Sequence, residues 1–211
     1  MSTSKGPVVL LEVGRVMKVN SYLWGNEQTG ECFLIDPGGE ADRILAACQE
    51  KGWIPKAILI THGHFDHIGA AEELRRRLSV PIRIHEAGAA YLADPALNLS
   101  GRIRPRIEIH DPETFREGDQ LSLGEECLTV IHTPGHTPDS CVFYDARRGL
   151  AFSGDTIFAF GGRGNDQFPG GNGFQLLRSI REKILTLPEE TLLLSGHSEP
   201  TTPGAEKRYY A

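Results

Sequence analysis

One short stretch constrains this chain of 211 residues more than any other, because it places three imidazoles and a carboxylate within six positions. The stretch is Thr61-His62-Gly63-His64-Phe65-Asp66-His67. An apolar run, residues 56–60, precedes it, and a helical pattern over residues 69–78 follows it. The pattern predicts a strand-to-helix loop whose side chains converge where α/β sheets hold their ligands.

Three further apolar segments end in the same way. Each leads into a tight, glycine-containing loop, and these loops carry His136, Asp155 and His197. Glycine beside a candidate ligand lets the backbone turn sharply and leaves room for a metal ion and a substrate. Alone, each residue would be an ordinary loop histidine or a capping aspartate. Because these residues recur at the ends of apolar segments, we interpret His136, Asp155 and His197 as metal ligands rather than as ordinary loop residues.

Together these loops supply seven donors of the kind that bind transition metals. The candidate ligands are His62, His64, Asp66, His67, His136, Asp155 and His197. Histidine with aspartate suits Zn²⁺, Fe²⁺ or Mn²⁺ rather than Ca²⁺. One tetrahedral metal needs three or four ligands, so the surplus predicts two divalent metals about 3.5–4 Å apart. We expect zinc, with iron or manganese as alternatives, and assign Asp66 and Asp155 as catalytic residues.

The other histidines and the cysteines lack such a context. We interpret them as ordinary side chains: His85, His110 and His132, and the reduced thiols Cys32, Cys48, Cys127 and Cys141, which form no CxxC pair. The polar N-terminal residues 1–7 and the lack of a run of about 18 apolar residues predict a cytoplasmic protein without membrane contact. A net charge of −6 and a pI near 5.8 argue against a nucleic-acid partner.

Strand and helix patterns place the chain in the α/β (α+β) class. Besides the strands that end at candidate ligands, we predict strands over residues 8–13, 21–24, 32–35, 81–85, 120–123 and 140–144. Helices are predicted over residues 41–51, 69–78, 86–93 and 174–185. Two similar halves suggest helices outside two packed sheets, with the site along one edge. We expect one domain over residues 1–211.

These residues and motifs resemble the metallo-β-lactamase superfamily, and within it the short glyoxalase II-like branch. The motifs are the cluster of residues 61–67, Ile35-Asp36-Pro37-Gly38, His132-Thr133-Pro134-Gly135-His136-Thr137, Gly154-Asp155-Thr156 and Gly196-His197. The resemblance implies a four-layer αββα sandwich, the metallo-β-lactamase fold. It also implies that His62, His64 and His136 hold one metal, that Asp66, His67 and His197 hold the other, and that Asp155 bridges them.

The resemblance further implies hydrolysis of a small-molecule thiol ester, such as S-lactoylglutathione, through a metal-bridging hydroxide. Class B β-lactamases generally lack histidine at the position of His67, which weakens an antibiotic-hydrolysing interpretation. Asp139 stands where glycine is usual in the family. The loop of residues 161–171 is longer than the related loop in the family, and this loop is either a pocket wall or a flexible surface insertion. Glyoxalase II proteins carry a C-terminal helical segment that contacts glutathione, whereas this sequence ends at Tyr210 and Ala211, which leaves the thiol carrier open.

Several alternatives stay open at the sequence level. The first is a mononuclear iron persulfide dioxygenase that uses His62, His136 and Asp155. The others are a lactonase or phosphodiesterase of the same superfamily, and a metal-binding module without catalysis. Five further residues could contact an anionic carrier: Tyr22, Arg102, Arg104, Arg106 and Arg163. Each could equally be a packing or surface residue, so we leave all five outside the predicted site. The oligomeric state is open as well.

Overall fold

The computed structural model describes residues 7–210, and the fold consists of two β-sheets with helices on their outer faces. Residues 1–6 and 211 lie outside the described residues, and so does most of the predicted polar N-terminal segment. The single domain over residues 1–211 therefore stays a prediction. The described part of the chain contains no helix long and apolar enough to cross a membrane.

The first sheet has six strands in the order β1-β2-β3-β4-β5-β6. They are β1 (Val8–Val13), β2 (Val19–Asn26), β3 (Glu31–Ile35), β4 (Ile54–Leu59), β5 (Ile82–His85) and β6 (Glu113–Phe115). The first three strands are antiparallel, and β3 to β6 are parallel. Parallel neighbours need crossovers. Helix α1 (Ala41–Lys51) joins β3 to β4, while α2 (Phe65–Ile68) and α3 (Ala71–Leu78) join β4 to β5.

The second sheet has five strands in the order β11-β10-β9-β8-β7. They are β7 (Gln120–Leu123), β8 (Glu126–His132), β9 (Cys141–Asp145), β10 (Leu150–Gly154) and β11 (Leu192–Ser195). Pairing is antiparallel except between β10 and β11, which are parallel. Strands β8, β10 and β11 consequently run in the same direction, and their carboxyl ends share one edge of the sheet.

Three apolar cores separate four layers. The core between the sheets is aromatic and includes Trp24 and Phe33 from the first sheet and Phe143 and Phe152 from the second. A second core packs α1 and α3 on the first sheet, and a third packs α5 (Gly173–Ser179) and the wider helical turn Ile180–Ile184 on the second. The predicted α/β class and the αββα sandwich are confirmed.

Several boundaries differ from the sequence prediction. The helix predicted to begin at Gly69 begins at Ala71, and a separate four-residue helix, α2, carries Asp66 and His67. Glycine is required between the two helices, because a Cβ on Gly69 would lie 2.2 Å from the carbonyl oxygen of Gly38. Three short elements complete the fold: strand β6, helix α4 (Ala89–Ala93) and helix α6 (Pro203–Glu206). A 3₁₀ turn at Glu86–Gly88 precedes α4. The sequence pattern did not predict β6 or α6.

Candidate metal centre

The carboxyl ends of four strands meet at one edge of the sandwich. Backbone hydrogen bonds join them: Cys141 donates to the Thr61 carbonyl over 2.9 Å, and Gly196 donates to the Gly154 carbonyl over 2.9 Å. Glycine is required at Gly196, since a Cβ there would lie 2.5 Å from Oδ1 of Asp155. The structure brings all seven predicted donors, which follow β4, β8, β10 and β11, into one cluster that is buried except for the partly exposed His197 and the edge of Asp155.

Three histidines form the first donor set. Nε2 of His62, Nδ1 of His64 and Nε2 of His136 lie 3.0–3.1 Å from one another. Nδ1 of His136 donates to the Asn165 carbonyl over 2.8 Å, so its Nε2 carries a lone pair. Nδ1 of His62 lies 3.3 Å from the Thr61 hydroxyl, which favours the same tautomer. Converging lone pairs repel one another unless a cation lies between them, and the spacing suits bonds of about 2.0–2.1 Å to one ion.

The second donor set combines Asp66, His67 and His197. Nδ1 of His67 donates to Oδ2 of Asp36 over 2.8 Å, and Nδ1 of His197 donates to the Lys18 carbonyl over 2.8 Å. Each Nε2 therefore directs a lone pair at the carboxylates, with Nε2 of His197 only 3.0 Å from Oδ2 of Asp66. Nε2 of His67 is buried without a hydrogen-bond partner among the described residues. This set also fits a cation.

Asp155 lies between the two sets. Its Oδ1 is 3.3 Å from Nε2 of His67, and its Oδ2 is 3.6 Å from Nε2 of both His136 and His197. Oδ1 is buried and has no hydrogen-bond partner in the described part of the chain. A buried carboxylate without partners is costly unless a positive charge compensates it. Asp155 is thus a carboxylate that faces histidines of both sets.

The electrostatics divide the cluster into a neutral part and a charged part. Burial lowers the pKa of His64 to about 3, and burial also lowers the pKa of His62 and His136, so these three rings are neutral. Burial lowers the pKa of His67 too, but Asp155, Asp36 and Asp66 more than offset it, and the pKa of His67 lies well above its usual value. Without a cation, a proton therefore occupies the place that a metal would take in the second set.

Asp36 is a functional residue that our sequence analysis did not include in the site. Its buried carboxylate accepts hydrogen bonds from the Thr61 backbone (2.8 Å), the Thr61 hydroxyl (2.6 Å) and Nδ1 of His67 (2.8 Å). It thereby orients the His67 ring and fixes its tautomer, as carboxylates behind metal-bound histidines do. The available signal was the Ile35-Asp36-Pro37-Gly38 motif, in which an aspartate directly follows a buried strand.

Replacing Asp36 by asparagine is expected to weaken the binding of metal by the second set about 10- to 100-fold. The amide would present a donor to Nδ1 of His67, which favours the tautomer whose proton lies on Nε2 and blocks the lone pair. Competition with a chromogenic chelator measures the affinity. The matched control is Asp111→Asn, because Asp111 is exposed and shares the left-handed backbone of Asp36 (φ 55° and 48°). Equal affinities in Asp36→Asn and wild type would contradict this role.

Asp139, the departure from glycine noted in the sequence, also supports the cluster. Its carboxylate is fully buried, and Oδ2 accepts the backbone N–H of Gly63 over 2.9 Å. Burial raises the pKa of Asp139 to about 6, although hydrogen bonds from Thr137 and Gly63 oppose the shift. Asp139 thus supports the loop between His62 and His64 from behind.

The remaining polar residues singled out in the sequence lie outside the cluster. His85 and His132 stack on each other with ring centroids 3.9 Å apart, and His110 is exposed. Tyr22 is buried and donates to the Ser195 carbonyl over 2.7 Å, which is a packing role. All four cysteines are free thiols, as predicted.

Comparison with known proteins agrees with this arrangement. A sequence model of the family described as the metallo-beta-lactamase superfamily matches residues 14–197. The probable metallo-hydrolase YqgX of Bacillus subtilis (strain 168) is 42% identical over 193 residues, which cover 90% of each chain. The hydroxyacylglutathione hydrolase GloC of Haemophilus influenzae is 36% identical over 191 residues, which cover 89% of each chain.

Solved structures extend the comparison to three dimensions. The BLEG-1 B3 metallo-β-lactamase superposes with a TM-score of 0.87 at 36% identity, over 95% of this chain and 96% of that one. TTHA1623 in a di-iron-bound form gives 0.80 at 34% identity, over 95% and 97%. ETHE1 from Myxococcus xanthus gives 0.76 at 29% identity, over 95% of this chain and 82% of that one.

Proposed function

Because the chain belongs to the metallo-β-lactamase superfamily, we propose that it is a binuclear metal-dependent hydrolase acting on thiol esters of the hydroxyacylglutathione type. The observation that carries this proposal is the position of Asp155, whose carboxylate faces Nε2 of His67 on one side and of His136 on the other, at 3.3 and 3.6 Å. One carboxylate shared by two neighbouring donor sets is the arrangement of hydrolytic two-metal sites.

In this proposal His62, His64 and His136 would hold one divalent metal, Asp66, His67 and His197 would hold the other, and Asp155 would serve both donor sets. Zinc is the proposed metal because it tolerates mixed histidine and carboxylate donors. Iron or manganese would fit the same donors, and the di-iron form of TTHA1623 supports the iron alternative. When bound, such ions lower the pKa of a water molecule towards about 7 and polarise a carbonyl group.

The residues of the chain divide the remaining work. Asp66 and Asp155 are the catalytic residues of the proposal; Asp66 orients the attacking water, whose proton is released to solvent. The water oxygen bonds to the acyl carbon, the carbon–sulfur bond breaks, and its electron pair leaves with sulfur as a thiolate. A thiolate is a good leaving group, so the reaction needs no strong general acid. The likeness to GloC supports a thiol ester as the small-molecule substrate.

A second candidate is β-lactam hydrolysis, which the likeness to BLEG-1 favours. A β-lactam releases an amine nitrogen, which needs a proton at bond cleavage, whereas a thiol ester does not. The persulfide dioxygenase is a third candidate, and it would need only His62, His136 and Asp155 around one iron. It would leave Asp66, His67 and His197 without a metal, although these three donors converge as those of the first set do, and we therefore rank it below the hydrolase.

Elemental analysis of the purified protein, with parallel assays on metal-loaded samples, tests the proposal. The substrates are S-lactoylglutathione, a chromogenic cephalosporin, and glutathione persulfide with an oxygen electrode. We expect about two metal ions per chain and turnover of the thiol ester. Cephalosporin hydrolysis without thiol ester turnover would contradict the proposal and support β-lactam hydrolysis. One iron per chain with oxygen consumption would contradict it as well and support the persulfide dioxygenase.

Partner and location are part of the same proposal. A small-molecule thiol ester is the proposed partner, without nucleic acid or membrane. We propose the cytoplasm as the location, supported by four cysteines that are all free thiols, because reducing compartments keep thiols unpaired. Fractionation of cells with an antibody against the protein checks the location.

A further inference from the structure

The loop of residues 161–173 is joined to the metal centre at several points. Gly164 donates to the Asp155 carbonyl over 2.9 Å, and the Asn165 carbonyl accepts Nδ1 of His136 over 2.8 Å. Further along, the Pro169 carbonyl accepts the Tyr91 hydroxyl over 2.6 Å. These bonds involve ligand residues and a buried tyrosine. Of the two interpretations that the sequence left open, they favour a pocket wall over a flexible surface insertion.

The loop places one aromatic side chain against the histidines. The ring of Phe168 lies edge-on to His64 and to His136, with centroids 5.5 and 6.5 Å away, and 38% of the residue is exposed. A large apolar side chain at the mouth of a polar centre has surface left to bury. Phe65, between the ligands His64 and Asp66, is partly exposed as well.

Phe168 and Phe65 line a cavity of about 610 Å³, which we call the Phe65–Phe168 cavity. Its lining includes Phe65, Pro95, Leu99, Arg102, Phe168 and Pro169. Arg102 is the single charged residue in this lining, and it is exposed, so its methylenes can cover the wall while its guanidinium stays in water. The volume lies within the range of small-molecule sites.

A second cavity, which shares Phe65 with the first, has two arginines in its lining. It measures about 290 Å³, and its lining includes Asp66, Arg15 and Arg104. Neither arginine has a carboxylate partner in the described part of the chain, whereas Glu40 in the same lining already pairs with Lys18 and Arg43. The first cavity therefore has one charged residue in a largely apolar lining, whereas the second adds Arg15 and Arg104 to apolar residues such as Met17 and Ile107, and Phe65 lines both.

We propose that the acyl group of the substrate carries an apolar chain, and that this chain lies in the Phe65–Phe168 cavity. The inference rests on the proposed thiol ester hydrolysis and names the part of the substrate that this chain selects. A polar, charged thiol carrier would lose hydration against the carbon surface of this cavity. The charged thiol carrier fits the second cavity instead, which is lined by Arg15 and Arg104. Each methylene of an acyl chain, by contrast, gains free energy when it leaves water for the surface of the Phe65–Phe168 cavity.

The test compares S-hexanoylglutathione with S-acetylglutathione, two esters that share a carrier and differ by four methylenes. The wild-type kcat/KM is expected to be at least about tenfold higher for the hexanoyl ester. Calorimetry supplies a readout without turnover: S-hexylglutathione should bind at least about tenfold more tightly than S-methylglutathione. These thioethers have no carbonyl to attack.

Two variants and one control assign the preference to this cavity. Phe168→Ala should reduce the ratio of the two kcat/KM values most of the way to one. The control, Phe174→Ala, removes a ring that is 91% exposed outside this cavity, and should leave the ratio unchanged.

Leu99→Asn separates cavity chemistry from folding. Leu99 has φ 65°, a left-handed conformation that asparagine adopts more readily than leucine. The variant should therefore keep or raise the melting temperature while it lowers the hexanoyl preference.

The outcomes are distinct. Turnover of both esters at equal efficiency, or a preference that survives in Phe168→Ala and Leu99→Asn, would overturn the apolar acyl site and leave the thiol ester hydrolase standing. Absence of turnover with every thiol ester, in protein shown to contain its metal, would reject the proposed function and this inference together. A preference that falls in both variants and survives in Phe174→Ala would support the inference.

Discussion

Replacing Asp155 by asparagine is expected to lower kcat/KM for the thiol ester by about a thousandfold or more. The Asp155 carboxylate lies 3.3 Å from Nε2 of His67 and 3.6 Å from Nε2 of His136 and of His197, so it faces both donor sets. An amide carries no charge and offers one acceptor oxygen, so it cannot compensate cations in both sets. Steady-state kinetics and elemental analysis of the same sample measure the effect, and we expect one metal equivalent to be lost.

The control for this variant is Asp42→Asn. It makes the same chemical change in a side chain that is 89% exposed and pairs with Arg77 on the surface. Its kcat/KM should stay within about twofold of the wild type, because exposed substitutions have small effects. Circular dichroism of both variants verifies the fold. An Asp155→Asn protein that retains two metal equivalents and normal turnover would remove Asp155 from the role proposed for it.

Removing the metal ions with a chelator is expected to lower the melting temperature by about 10 °C. A ligand present at about 1,000 times its dissociation constant stabilises a protein by about 4 kcal/mol, and 1 kcal/mol corresponds to about 2–4 °C at this chain length. The physical cause is the buried cluster, in which lone pairs of histidines face one another and two carboxylates. Thermal unfolding with and without chelator measures the shift. Re-addition of Zn²⁺ should restore both stability and turnover.

The size of this shift is expected to increase as the pH rises from 6 to 8. In the metal-free protein, burial lowers the pKa of His67 and His197, but nearby carboxylates outweigh burial, and both pKa values are raised. A raised histidine pKa contributes stability that is fully present below about pH 6.5 and is lost as the pH rises through the folded-state pKa. Meanwhile metal binding strengthens as protons leave its ligands.

Both effects act in the same direction, because protons on His67 and His197 stabilise the metal-free form less as the pH rises, while metal binding strengthens over the same range. The variant Asp36→Asn removes one of the charges that raise the pKa of His67 and should reduce the pH dependence, whereas the control Asp111→Asn should leave it unchanged. If the melting-temperature difference stays constant or shrinks between pH 6 and 8, protons and metal ions do not compete for His67 and His197.

Much of the site could be predicted from local sequence because its donors follow buried strands. His62, His136, Asp155 and His197 each come shortly after an apolar run, and that pattern is visible without tertiary information. The strands β1, β3 and β7 and helix α1 were likewise predicted within one or two residues, since alternation and helical spacing are local properties. The four-layer arrangement followed from the resemblance, and the three apolar cores confirm it.

The partners of the donors could not be predicted in the same way. Nδ1 of His197 donates to the Lys18 carbonyl, 179 residues away in sequence, and Nδ1 of His67 donates to Asp36, 31 residues away. Such pairs depend on how strands from distant parts of the chain lie side by side. Spacing along the sequence contains no record of that register, so the tautomers of these rings became visible only in the structure.

The sequence by itself therefore determined which donor types this chain presents and at which strand ends, because side-chain chemistry and strand periodicity are local. The tertiary structure alone decided which nitrogen of each histidine faces the centre, and how far the Asp155 carboxylate lies from each set. It alone also directed Phe168 towards His64, through the Tyr91 hydrogen bond to Pro169. These features depend on hydrogen bonds and packing between segments that meet only when both sheets have formed.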